Sequence, residues 1–179
     1  SPLTALSFHV MIEMPALVVL LPSAVRGYDK KLVNSSLLIL IFAVPCGFYF
    51  ISLIDAVYLR LFIGAFVVAS VFVIWLGVPL IFSSKKKFFQ LACGASGFCQ
   101  GLMGLGGPPV VTTLISRRDD NVTTRANIIV VMTVLLISSL CSQLYFGAIT
   151  LTPVTLALTL FFPYLLSNQI GKWLFFRYP

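Results

Sequence analysis

Two groups of residues have the types and spacing for chemistry. His9 and Glu13 are four apart in an apolar stretch, so they share one helical face. An ionisable residue at membrane depth is costly and marks a functional position by default, which makes this pair a proton-coupling candidate. The plainer alternative is that the two satisfy each other inside a helix bundle, or that Glu13 is protonated there. The second group is mainly backbone. Gly94 to Pro109 holds six glycines in sixteen residues and ends in Gly106-Gly107-Pro108-Pro109, flanked by apolar runs. Proline lacks the donor and clashes one turn back, while glycine readily leaves helical geometry, so a helix must break here. Freed amides around Gly104, Gly106 and Gly107, with a new helix begun at Pro108, form a place of partial positive charge suited to an anion. Arg125 adds charge at the entrance. Close helix packing is the competing explanation: it accounts for Gly94, Gly97, Gly101 and Gly104, but not for the Gly-Gly-Pro-Pro stop.

Such a break needs a setting that tolerates it, and composition supplies one. With 9% charged and 59% hydrophobic residues and a mean hydropathy of +1.05, the chain is an integral membrane protein. Non-helical backbone survives at that depth only where protein covers it or where it lines a polar cavity. The net charge of +7 comes from short basic clusters between apolar spans, the pattern of loops at a membrane rather than of a nucleic-acid surface. No nucleic-acid partner is expected; the partners are the lipid bilayer and a small anionic substrate, and a homo-oligomer is allowed. Cys46, Cys93, Cys99 and Cys141 lie in apolar segments without Cys-x-x-Cys spacing or clustered histidine, so no metal, cofactor or disulfide frame is expected. No nucleophile, base and orienting group fall together either, which argues against an intramembrane enzyme. A non-transporting assembly subunit is the other alternative, although mere packing has no need of a helix break.

The spans that must position these residues follow in order. The first runs from Leu3 to Leu21 and is closed by Pro22, before a loop with Arg26, Asp29, Lys30 and Lys31. Val33 to Ile54 contains Pro45 and Gly47, which point to a kink; Asp55 turns the chain into Val57 to Phe82, where Arg60 is near enough to the end to snorkel. After Lys85-Lys86-Lys87 come the glycine segment, Phe88 to Ile115, and a loop from Arg117 to Asp120. Ala126 to Phe146 and Leu151 to Ile170 complete the set, the latter with Pro163 and ending before Lys172 and Arg177. The Asn-x-Ser/Thr triplets at Asn34 and Asn121 adjoin basic loops and are discounted.

Counting Lys and Arg decides how the glycine segment travels. If it crosses the membrane, the basic residues divide six against six; if it enters and returns to the same face, they divide eleven against one, with Arg60 alone opposite. The positive-inside rule therefore favours a re-entrant hairpin entered from the cytoplasm. The expected fold is an all-α polytopic membrane protein of five full transmembrane helices plus a Gly-rich re-entrant, broken-helix hairpin, part of an inverted or internal repeat. A shift of 120 residues lays Thr4 on Thr124, Val10 on Val130, Leu20 on Leu140 and Gly27 on Gly147. Residues 1–87 are then the remainder of a first repeat, with three transmembrane helices. Residues 88–179 are the second, with the broken helix and two more. On this reading the sequence is a piece of a longer protein, with the first repeat's own hairpin upstream of Ser1.

Gly97-x3-Gly101-x2-Gly104-x-Gly106-Gly107-Pro108-Pro109, then Arg125-Ala126-Asn127, Gly147, and Pro163 with Gly171 eight residues on, resembles the second half of TauE/SafE-type transporters, the sulfite and organosulfonate exporter family. The resemblance implies a duplicated membrane carrier, not an enzyme, for small sulfur-containing or carboxylated anions, in the bacterial inner (plasma) membrane. Its glycine motif maps onto Gly97 through Pro109 and its loop arginine onto Arg125. The implied substrate-binding set is Gly101, Gly104, Gly106, Gly107, Pro108, Pro109, Arg125, Asn127, Ser167 and Asn168. Ser167 departs from the pattern, which has glycine there, so that the polar pair Ser167-Asn168 replaces a packing residue.

Overall fold

The structure is a computed structural model that describes residues 2–51, 53–75, 86–117 and 119–149, with isolated positions between 155 and 167. The named elements are helices: α1 (Pro2–Ala24), α2 (Lys30–Ile51), α3 (Ala56–Trp75), α4 (Lys86–Met103), α5 (Gly107–Ser116) and α6 (Asn121–Tyr145). No strand occurs among the described residues, in keeping with an all-α protein. Three segments, Thr4–Ala24, Lys30–Ile51 and Asn121–Tyr145, are long and apolar enough to cross a membrane, since twenty helical residues rise about 30 Å, the depth of the hydrocarbon layer. A shorter apolar stretch, Val57–Phe72, lies in α3. The expected continuation of that span to Phe82 falls outside the described residues, as do Lys85, Arg118, Gly171, Lys172, Arg177 and most of Leu151 to Ile170.

Local chemistry sets the helix ends. The Asp29 carboxylate accepts from the backbone N–H groups of Lys31 and Leu32 at the start of α2. Asp120 does the same for Val122 and Thr123 at the start of α6, satisfying donors that a first turn leaves free. The expectation that Pro22 closes the first span is not met: α1 continues through Pro22 to Ala24. Proline there deletes one donor close to the helix end, where little of the ladder remains to be lost. α2 stops at Ile51 rather than Ile54, and Leu53 N–H donates to the Phe50 carbonyl in the tight turn toward Asp55.

α2 lies at the centre, packed on α4 and α6, while α1 covers α6 and α5 folds against α4. The directions follow from which residues meet. Gln90 Nε2 donates to the Ser35 carbonyl, while Gly94 faces Ile39, Gly97 faces Leu40 and Ala43, and Gly101 faces Val44. Partners thus advance together along both chains, so α2 and α4 are parallel. Asn127 Oδ1 accepts from Asp29 N–H at one end of α6, and Phe146 stacks on Phe48 with ring centroids 5.2 Å apart at the other, so α6 is parallel to α2 as well. α1 opposes them: Ser7 Oγ near its start donates to the Ala148 carbonyl beyond the end of α6, and Gly27 beyond its own end faces Ala126. Hence α2, α4 and α6 begin at one end of the bundle, and α1 and α3 begin at the other. Leu40, Val44, Phe89, Val110, Val131 and Leu135 close the core between them. α3 leans on this body through Leu59, beside Ile51 and Leu102, and most of its other described side chains are exposed.

Candidate functional site

The glycine segment divides into a packing stretch and a turning stretch. Along α4, a side chain at Gly101 would run into the Val44 carbonyl, and one at Gly97 would lie 2.8 Å from Ala43 Cβ. Gly47 on α2 answers, since a Cβ there would strike the Phe98 carbonyl. Small residues on both partners bring the backbones together, as membrane helices do where hydrocarbon offers no hydrophobic drive. Gly101, expected to bind substrate, is therefore buried in the seam between α2 and α4.

Beyond Met103 the chain turns. Gly104 has φ +74°, a left-handed conformation that costs an L side chain about 1–2 kcal/mol, and α5 begins only three residues later. Its first turn contains Pro108 and Pro109, where missing N–H groups lose nothing. α5 then runs back along α4, with Val110 N–H donating to Ser96 Oγ at 3.1 Å across fourteen residues of sequence. An unbroken helix would hold those two residues about 20 Å apart. Gly106 is needed for closeness, because a Cβ there would lie 2.7 Å from both Gln100 Cβ and the Ser96 carbonyl.

The expectation that the amides of Gly104, Gly106 and Gly107 are all free is corrected by this geometry. Gly104 N–H donates to the Gln100 carbonyl, and Gly106 N–H donates to Gln100 Oε1 at 2.9 Å. Of the three, Gly107 N–H alone has no acceptor among the described residues. Gln100 is the residue that sequence reasoning missed. It is 3% exposed, its oxygen caps the turn, and its Nε2 is buried with no hydrogen-bond partner among the described residues. A buried amide left half satisfied costs about 1–3 kcal/mol. A lone glutamine amid small and apolar residues was the available signal, because such a side chain in a membrane helix must find a partner. Gln100 Nε2 and Gly107 N–H are thus two donors at the positive end of α5. Ser96 and Gln100 meet α5 beside the part of α4 that faces Leu40 to Phe48, in the second half of α2.

The other expected residues fall in several places. Asn127 is fully buried at the basic end of the bundle, where its oxygen holds the loop before α2 and its Nδ2 has no partner among the described residues. Arg125, two residues earlier, is exposed at that same end. Ser167 is exposed, and Asn168 lies outside the described residues. His9 and Glu13 do meet, with Nδ1 and Oε1 3.5 Å apart and both side chains partly exposed. His9 is also brought to the turn: a Cβ on Gly104 would lie 3.3 Å from His9 Cδ2. No cluster of His, Cys, Asp or Glu with the makings of a metal site occurs among the described residues.

The turn thus brings the start of a helix and the buried Gln100 amide together inside an apolar bundle. Against this geometry, the family model described as Sulfite exporter TauE/SafE matches residues 2–179. The chain belongs to the TauE/SafE family. That membership makes it an integral membrane protein of a transporter family, rather than an enzyme, and agrees with its long apolar helices. Searches of curated proteins and of solved structures each returned no match.

Proposed function

We propose that this TauE/SafE protein carries sulfite, an organosulfonate or a related small anion across the bacterial plasma membrane, binding it where α4 breaks and α5 begins. The observation that carries the reading is Gln100: a buried amide whose oxygen is engaged by the turn and whose nitrogen has no acceptor among the described residues, beside a helix N-terminus. An oxyanion is the ligand such donors fit, since it accepts from both nitrogens and gains from the helix dipole without a cation in the hydrocarbon. Arg125, exposed where α6 begins, gathers anions at the entrance. His9 and Glu13 couple proton movement to the anion.

In the membrane, α4 and α5 form a hairpin entered from the cytoplasm, within five full spans. The parallel courses of α2, α4 and α6 and the return of α5 along α4 support this, because they gather Lys30, Lys86 and Asp119 at one end of the bundle. Single cysteines at Lys86 and Asp119 should then label from the same side, and labelling from opposite sides would sink the hairpin. The division into repeats at residues 1–87 and 88–179 is supported by α1 and α6, the matched helices, which run antiparallel as an inverted repeat requires. A glycine-rich segment encoded just upstream of Ser1 would test that division.

Reconstituted in proteoliposomes, the protein should conduct a sulfite or sulfonate flux that saturates with substrate and depends on pH. Glu13→Gln should keep the flux and lose its pH dependence. No substrate-dependent flux in either direction would contradict a carrier and favour an assembly role.

A further inference from the structure

A cavity of about 440 Å³ opens beyond the hairpin turn, between the start of α1, the end of α2, the start of α3 and Met103 to Leu105. Its lining side chains are apolar apart from Arg60 and His9. It lies at the end of the bundle where α2 stops and α3 starts, opposite the basic end. Among the described residues the other Lys and Arg, namely Arg26, Lys30, Lys31, Lys86, Lys87, Arg117 and Arg125, belong to the loops and helix starts of that basic end. Arg60 is thus an isolated cation placed against the charge asymmetry of the rest of the chain, beside a concave surface.

The two polar groups are complementary in what they offer. Arg60 supplies a permanent charge and a fork of donors suited to an oxyanion. His9 is held from behind, its Nδ1 3.5 Å from Glu13 Oε1, and its Cδ2–Nε2 edge faces Gly104. No carboxylate lines the cavity among the described residues. Gly104 and Leu105 form part of its wall, and Gly106, the next residue, hydrogen-bonds Gln100 on the inner side. The three-residue link between α4 and α5 therefore separates this cavity from the start of α5.

We propose that the cavity is a second anion site, a vestibule on the far side of the turn, where Arg60 and His9 hold the same class of small oxyanion that passes the break between α4 and α5. As a step on a transport path it rests on the carrier reading, but anion binding in the cavity is measurable without transport. The competing occupant is a lipid phosphate, which offers Arg60 the same chemistry from the bilayer.

The test places a thiol at Ala5, a small exposed residue of the cavity wall, after replacing the exposed Cys46 and Cys141 by alanine. Modification rates are compared for an anionic and a cationic methanethiosulfonate, with isethionate as the soluble sulfonate. The anionic reagent should be favoured, and isethionate should slow both reagents. Arg60→Gln should lower the anionic-to-cationic ratio about tenfold and abolish protection, whereas Arg60→Lys should keep most of both. Because both reagents report on one thiol, a change in its exposure cancels from the ratio. An unchanged ratio and unchanged protection in Arg60→Gln would overturn the vestibule. Protection by added anionic lipid but not by isethionate would overturn it in favour of a lipid contact. Protection without any flux in proteoliposomes would uphold the site and overturn the carrier reading, while flux without protection would do the reverse.

Discussion

The glycines of one segment do two different jobs on either side of Met103. Gly94, Gly97 and Gly101 face α2; at Gly97 and Gly101 the absence of a side chain lets two backbones touch, and Gly47 mirrors them from the partner helix. Gly104, Gly106 and Gly107 serve a reversal of direction, but not equally. Gly104 is fixed by its positive φ, and Gly106 by the Gln100 side chain and the Ser96 carbonyl, whereas at Gly107 the nearest atom to an added Cβ is Met132 Cε at 3.4 Å. A packing glycine is constrained by a neighbour's backbone, which cannot yield. The glycine at the start of α5 is bordered by a flexible methionine end, so space alone does not require it. On the proposed reading, its amide and the approach to that amide are the reason.

This contrast predicts a graded series in folded yield and thermal unfolding of the detergent-solubilised protein. Gly101→Leu should be the most damaging, preventing assembly of α2 on α4, because the obstructing atoms are the Val44 carbonyl and the Phe48 amide. Gly106→Ala should come next, costing about 1–3 kcal/mol as α5 is pushed off α4. Gly107→Ala should change stability by less than about 0.5 kcal/mol, since the methyl meets only Met132 and alanine favours the helix. A Gly107→Ala protein as unstable as Gly106→Ala would erase the distinction between the two jobs.

Much of this was legible in the sequence, and the rest fails for identifiable reasons. The break after Met103, the helix begun at the two prolines and the pairing of His9 with Glu13 are local patterns, governed by residues a few positions apart. The partner of Gly101 is fifty-seven positions away, in the Val44 region of α2, so spacing shows that Gly101 packs or bends without showing where. Gln100 went unremarked because its role depends on the turn it caps. Asn127 was assigned to substrate through the family motif, yet its oxygen holds the loop before α2. Arg60 near a helix end reads as a snorkelling side chain; only the fold brings α1 and Gly104 round the same cavity.

The central claim is that the start of α5 holds the anion, and Gly107→Val tests it most directly because an added Cβ there meets only the flexible end of Met132, at 3.4 Å, while the larger side chain crowds the approach to the Gly107 amide. Sulfite or sulfonate flux should be measured in proteoliposomes for the parent and for Gly107→Val, with equal folded yield established first. A parent that transports beside a folded Gly107→Val protein that does not is the predicted result. Transport by Gly107→Val at the parental rate would contradict it, and would leave the glycines of the turn as structural residues.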